Sequence, residues 1–296
     1  MNKQKKSVLL VFFCLFGCFF CTTCGLEEIV VLASPTVVHH QSYYDTVIPE
    51  NWYCDFQTNE TYNTSLKNAS FIGTEVYYKI YKNYSNLSSH KSAIESVNSA
   101  SNNTAAAKKL IETYTYQPLA TEPDVQDSIF IRDSGENKNV YFRPKTYMKN
   151  DDIWFRAAIA YPHNANKHTF LGYDNSSGKI SIKKYNYYKE TDIWEDAETQ
   201  TTVDYSTISF VVPYRNVAGT ARSFDFFDYN NTHQPENTEP VDGDADYWYS
   251  ESFTENYEDT YFVQFYAVAI AMDGTSLANT YSLVLDLGTI PIKKGE

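Results

Sequence analysis

Apolar and polar residues alternate with a period of two through most of the chain, the spacing that puts every second side chain on one face of a β-strand. Residues 51–58 alternate around Trp52, Cys54 and Phe56, and residues 73–82 set Val76, Tyr78 and Ile80 on one face. Residues 153–161 form an apolar run broken only by Arg156, and residues 179–185 alternate Ile180 and Ile182 with Ser and Lys. Residues 201–213, 223–229, 260–272 and 281–290 complete the set, and a short apolar stretch lies near 29–32. Their Tyr, Phe, Val, Ile and Thr suit a pleated, half-buried surface. Turn-rich segments separate them at 134–139, at 175–178 and at Asp273-Gly274. The pattern predicts an all-β chain. It is interrupted once, over residues 88–114, where Ala, Ser, Lys and Asn predict one or two short helices at about 89–114. Thr104 is the expected N-cap of the second, and Pro118 and Pro123 close the segment.

The strands near 29–32, 51–58 and 73–82 resemble the opening strands of a fibronectin type III or immunoglobulin-like sandwich, and residues 261–292 resemble its closing hairpin. Tyrosines at alternating places, Tyr77, Tyr81, Tyr261 and Tyr266, carry the likeness. The resemblance implies a sandwich made of residues 24–120 plus 255–296, with residues 121–254 as an inserted or second β-rich unit. Two consecutive β domains, or one large irregular sandwich, are the alternatives.

The first two dozen residues have a different character. Lys3, Lys5 and Lys6 precede an uncharged apolar block from Ser7, and the first acids are Glu27 and Glu28. The block is shorter than the roughly 20 residues a spanning helix needs, so it reads as a secretory signal over residues 1–23. Four of five cysteines, Cys14, Cys18, Cys21 and Cys24, fall in this segment, which leaves only Cys54 in the body. Cysteines in a leader cannot staple a domain that lies elsewhere.

Leu15-Phe16-Gly17-Cys18 and Cys21-Thr22-Thr23-Cys24 both resemble a bacterial lipoprotein signal, in which a small residue precedes the cysteine that becomes acylated. Cys24-Gly25-Leu26-Glu27-Glu28, together with residues 71–81 (Phe-Ile-Gly-Thr-Glu-Val-Tyr-Tyr-Lys-Ile-Tyr), is similar to lipoproteins of Treponema-type spirochaetes. That resemblance implies lipidation at Cys24, with Cys18 as the alternative. It also implies attachment to a bacterial membrane, on the periplasmic face or at the cell surface. It implies location and no activity.

Composition narrows the partners. With 43% hydrophobic residues the chain is no disordered acidic polymer. A formal charge of -13 argues against nucleic acid and against adhesion to anionic lipid. Membrane binding must then come from acyl chains, and no other cofactor is implied.

There is no nucleophile elbow, no glycine-rich phosphate loop and no zinc spacing among the six histidines. The one metal-like stretch is Asp242-Gly243-Asp244-Ala245-Asp246. Its spacing can converge carboxylates on calcium, although Tyr247 and Phe253 stand where the EF-hand needs Gly and Glu. A solvated acidic loop is the plainer reading, and no metal is expected. The 26 tyrosines include two dense groups, Tyr187-Tyr188 and Tyr247-Trp248-Tyr249, which are candidate ligand-binding residues for an extracellular protein or carbohydrate. The chain therefore reads as an exported, lipid-anchored, non-catalytic binding or structural module. A carbohydrate-binding or carbohydrate-active protein using aromatic and acidic loop residues is the alternative.

Overall fold

The computed structural model describes residues 30–39, 52–123, 131–149, 152–154, 156–160, 167–188, 190–217, 220–226, 239–249 and 259–293. Cys18, Cys24 and the rest of the leader lie outside them. Among the described residues strand outweighs helix, 46% to 14%, which makes the fold all-β with a small helical component.

The first half of the framework holds β1 (Thr36–His39), β2 (Cys54–Gln57), α1 (Glu60–Thr64), β3 (Ala69–Tyr81) and α2 (Tyr84–Glu95). Next come α3 (Ala105–Lys108), which runs into a π-helical turn (Lys109–Thr113), then β4 (Asn139–Arg143) and β5 (Ala157–Ala160). A run of strands follows: β6 (Lys167–Asp174), β7 (Ser181–Tyr188), β8 (Ile193–Asp196), β9 (Thr202–Val203) and β10 (Val212–Val217). The chain closes with β11 (Tyr247–Trp248), β12 (Thr260–Asp273), β13 (Asn279–Tyr281) and β14 (Leu285–Lys293).

β12 is the central strand. It runs antiparallel to β3 from the pair Phe262↔Tyr81 to Asp273↔Ala69, and antiparallel to β14 from Thr260↔Lys293 to Ala267↔Leu285. The ladder between β3 and β12 joins the first third of the chain to its last part. β11 adds to the outer edge of β3 in parallel, through Tyr247↔Ile80 and Trp248↔Tyr81.

Period-two alternation gives this sheet two distinct faces. On one, Val76, Tyr78 and Ile80 of β3 join Val263, Phe265 and Ala267 of β12. They meet Trp52, Cys54, Phe56, Val140 and Phe142 from a second sheet ordered β1-β2-β4-β5. Cys54 is fully buried there, and burial pushes its thiol well above the ordinary range, which makes it a small hydrophobe. The other face carries Tyr77, Tyr81, Phe262, Tyr266 and Val268, covered by Leu87 and Ile94 of α2 and by Ala106, Ala107 and Leu110. The positions of β3 that look solvent-facing in the alternation are thus roofed by helices. Tyr and Lys tolerate this because each keeps a polar end that a neighbour can satisfy.

Residues 31–296 make one compact unit. The middle of the chain adds Val140, Ala158, Leu171, Val211, Phe224 and Phe226 to the main core. It also builds a cluster of its own around Ala157, Phe170 and Trp194. In the sheet β6-β7-β8-β9, the Tyr185 ring lies against Gly172, where an added Cβ would force the ring to shift.

Three local expectations need correcting. No strand forms over 30–35: Asn63 of α1 takes the backbone of Ala33 at both ends, its Oδ1 accepting at 2.8 Å and its Nδ2 donating at 3.0 Å, in place of a ladder. The first of the expected helices, α2, begins at Tyr84, earlier than 89, because the Asn83 side chain accepts from Ser85 N at 2.8 Å and Asn86 N at 3.3 Å. Thr104 makes no capping bond; its hydroxyl turns back to Asn102 Oδ1.

Candidate functional site

The acidic loop is organised by an arginine. Gly243 takes φ 96°, which lets the loop close on itself through Asp244 N to Val241 O at 3.0 Å and Val241 N to Asp244 Oδ2 at 3.1 Å. Arg215 of β10, fully buried, then donates to Asp246 through Nε and Nη2, both at 2.8 Å, and to Asp244 through Nη2 at 2.9 Å. The planar fork matches the carboxylate geometry, which favours Arg over Lys here. Tyr78 donates its hydroxyl to Asp246 Oδ2 at 2.7 Å and accepts from Asn216 N at 2.6 Å, while Ile80 N reaches Asp246 O at 2.8 Å.

Two of the three calcium candidates, Asp244 and Asp246, are therefore engaged by a guanidinium, and Asp242 is exposed. Among the described residues no group of three or more His, Cys, Asp or Glu stands where it could hold a metal ion. Arg215 was missed in the sequence; its only signal was a charged residue inside an otherwise strand-like Val-Pro-Tyr-Arg-Asn-Val run.

The clasp sets Tyr247, Trp248 and Tyr249 in place. Tyr247 turns inward, its ring 6.0 Å from that of Tyr261, and burial raises its phenol. Trp248 passes to the helix-covered side and remains 36% exposed, its ring edge-on to His90 at 4.5 Å. Tyr249 is 44% exposed.

Beneath Trp248 lies an enclosure of polar and aromatic groups. Lys79 of β3 is only 1% exposed, and its Nζ sits 5.6 Å from the Trp248 ring centroid and donates to Thr115 Oγ1 at 2.7 Å. Thr115 follows the π-helical turn, whose closing bond runs from Tyr114 N to Lys109 O at 3.0 Å, and holds φ at 53°. For a β-branched residue that conformation costs about 1–2 kcal/mol, and strain of this kind gathers at functional sites.

His90 of α2 stacks on Tyr114 at 4.0 Å, and its Nδ1 is 3.0 Å from the Tyr81 hydroxyl, which donates to Tyr116 at 3.0 Å. Burial, then the charge of Lys79, lowers His90 to about 4, so the ring is neutral at pH 7. Burial lowers the Lys79 amine to about 8 against the opposing pull of Asp246. The Tyr266 hydroxyl, next to the Tyr116 ring, is buried without a hydrogen-bond partner.

The other tyrosine pair does not form one patch. Tyr187 packs its ring on Trp194 at 4.7 Å, and its hydroxyl donates to Asp192 at 3.1 Å. Tyr188 faces the other side of β7, where it donates to Glu195 at 3.4 Å under Lys167. Both have structural partners, and Tyr187 belongs to the Trp194 cluster. Trp248 belongs with Lys79 and His90.

No protein-family model, curated protein or solved structure matches this chain.

Proposed function

We propose that the protein is an exported envelope protein of a spirochaete-type bacterium, tethered by lipid on Cys24, with Cys18 as the alternative acceptor, and that it works by binding, without catalysis. The basic start, the short uncharged apolar block and the cysteines at its end support the tether. More than one buried acyl chain on such a cysteine would hold an acidic domain that charge alone would repel. Within the all-β architecture we take the finer plan to be a fibronectin type III or immunoglobulin-like sandwich, with β3, β12 and β14 facing β2 and β4 across the main core. The helices then roof the outer face of one sheet.

One observation carries the binding role: Trp248 and Tyr249 are half-exposed while the residues just before them are locked by Arg215. Aromatic rings held out on a rigid support supply contact area at little entropic cost, which suits an extracellular protein or a glycan. Because Asp244 and Asp246 are engaged internally, the carbohydrate-active alternative loses two of its acids and rests on the aromatic rings.

Intact mass of the membrane-extracted protein tests the tether, with a chain starting at Cys24 and carrying acyl mass as the expected result. Cys24→Ala should abolish palmitate labelling and Cys18→Ala should not; an unprocessed Met1 terminus overturns the reading. For the binding role, immobilised glycans and extracellular-matrix proteins are probed with the parent and with a Trp248→Ala/Tyr249→Ala variant. Loss of the captured partner at unchanged melting temperature is expected, and identical capture by both proteins refutes the aromatic surface.

A further inference from the structure

Lys91, Lys138 and Lys183 stand against Asp286, Glu60 and Asp174. Lys79 is buried more deeply than any of these, yet among the described residues no carboxylate lies within ion-pair distance of it. Asp246, whose charge acts on it, is bound by Arg215. A buried ammonium without an anion favours its neutral form, and a neutral lysine amine is a nucleophile.

The surroundings suit that role. Thr115, held at φ 53°, puts a hydroxyl 2.7 Å from the nitrogen. His90 contributes no second positive charge at neutral pH. The groups facing the amine are Thr115 after the π-turn, His90 on α2 and Trp248 on β11, while Asp246 in the acidic loop acts on it by charge alone. The cross-strand neighbour on β12 is Gln264, which is uncharged. Over the nitrogen lies the half-exposed Trp248 ring, on a strand tied to β3 by two residue pairs.

We propose that Lys79 is an amine site for small aldehydes and ketones, reached when the Trp248 indole swings aside. The lone pair on Nζ attacks the carbonyl carbon, a C–N bond forms and the carbonyl π pair moves to oxygen. A proton passes from nitrogen to that oxygen, with the Thr115 hydroxyl as relay, to give a carbinolamine. Loss of one water leaves the imine; nothing is oxidised or reduced. This site is independent of the lipid tether, and it shares Trp248 with the aromatic surface proposed above.

The test treats the folded full-length chain with glycolaldehyde and cyanoborohydride between pH 6.5 and 9.5 and maps the reduced adducts by peptide mass spectrometry. At pH 7.5, Lys79 should react about tenfold faster than the exposed Lys67 and Lys179, because burial leaves much of the Lys79 amine unprotonated. Its rate should level off above about 8. Trp248→Ala should speed the adduct at Lys79, and Thr115→Val should slow it without changing Lys67. If Lys79 reacts no faster than Lys67 in both the parent and the Trp248→Ala chain, the proposal is overturned.

Discussion

An aspartate that could ligate a metal and one that grips a guanidinium are the same letter in a sequence. The spacing of Asp242, Asp244 and Asp246 was legible. The identity of their partner was not, because Arg215 lies about thirty residues away on another strand and only folding brings it to Asp246. The two readings differ in what mutation does. Asp246→Ala leaves a buried guanidinium without its main partner and should cost about 3–5 kcal/mol, read as a lower urea midpoint. Asp242→Ala, at an exposed position, should change it by less than about 0.5 kcal/mol. The partners of His90 were equally hidden: the helix that carries it also sets it under Trp248. Its folded pKa is about 4 against 6.5 for the free side chain, so the unfolded chain binds the extra proton between those values. Stability should therefore be intact above about 6.5 and fall as pH drops toward about 4. Urea midpoints measured through that range should show a shallower decline for His90→Gln than for the parent; parallel declines would remove the effect from His90.

At the scale of elements, the period-two signal found the strands because one face of each central strand packs on another sheet. It could not show that the second face of β3 is covered as well. Tyr77, Lys79 and Tyr81 read as polar positions, and the helices that bury them come from a segment with little periodicity of its own. The helix start was misplaced for a similar reason. Asn83 lies at the end of an alternating strand and gives no helical pattern before it, whereas Thr104 sits in front of an alanine run that invites a cap. The bonds say the opposite. Asn83→Ala should cost about 1 kcal/mol, and Thr104→Ala only a few tenths, because the first removes two side-chain acceptor contacts and the second none. Melting temperatures of the two variants, compared in one buffer, check the order, and equal losses would contradict it.

At the scale of the whole molecule, the pairing of β3 with β12 sets the behaviour. The main core draws residues from Trp52 to Ile292, so residues 31–296 should unfold in one transition. Tryptophan fluorescence and far-ultraviolet circular dichroism should give coincident urea curves, and two separated midpoints would show that the middle segment unfolds alone. That 73–82 and 260–272 are strands was readable in their alternation; that they pair with each other is seen only in the fold. How the middle divides its side chains between a shared core and the Trp194 cluster was not, since burial partners leave no mark on alternation. The order of the strands also has a consequence in time. β12, on which both layers are built, comes from residues 260–273 of 296. A nascent polypeptide that ends before it lacks the seam uniting its two ends. Until residues 260–273 have been made, β3 has no partner for its longest ladder and the main sheet cannot close.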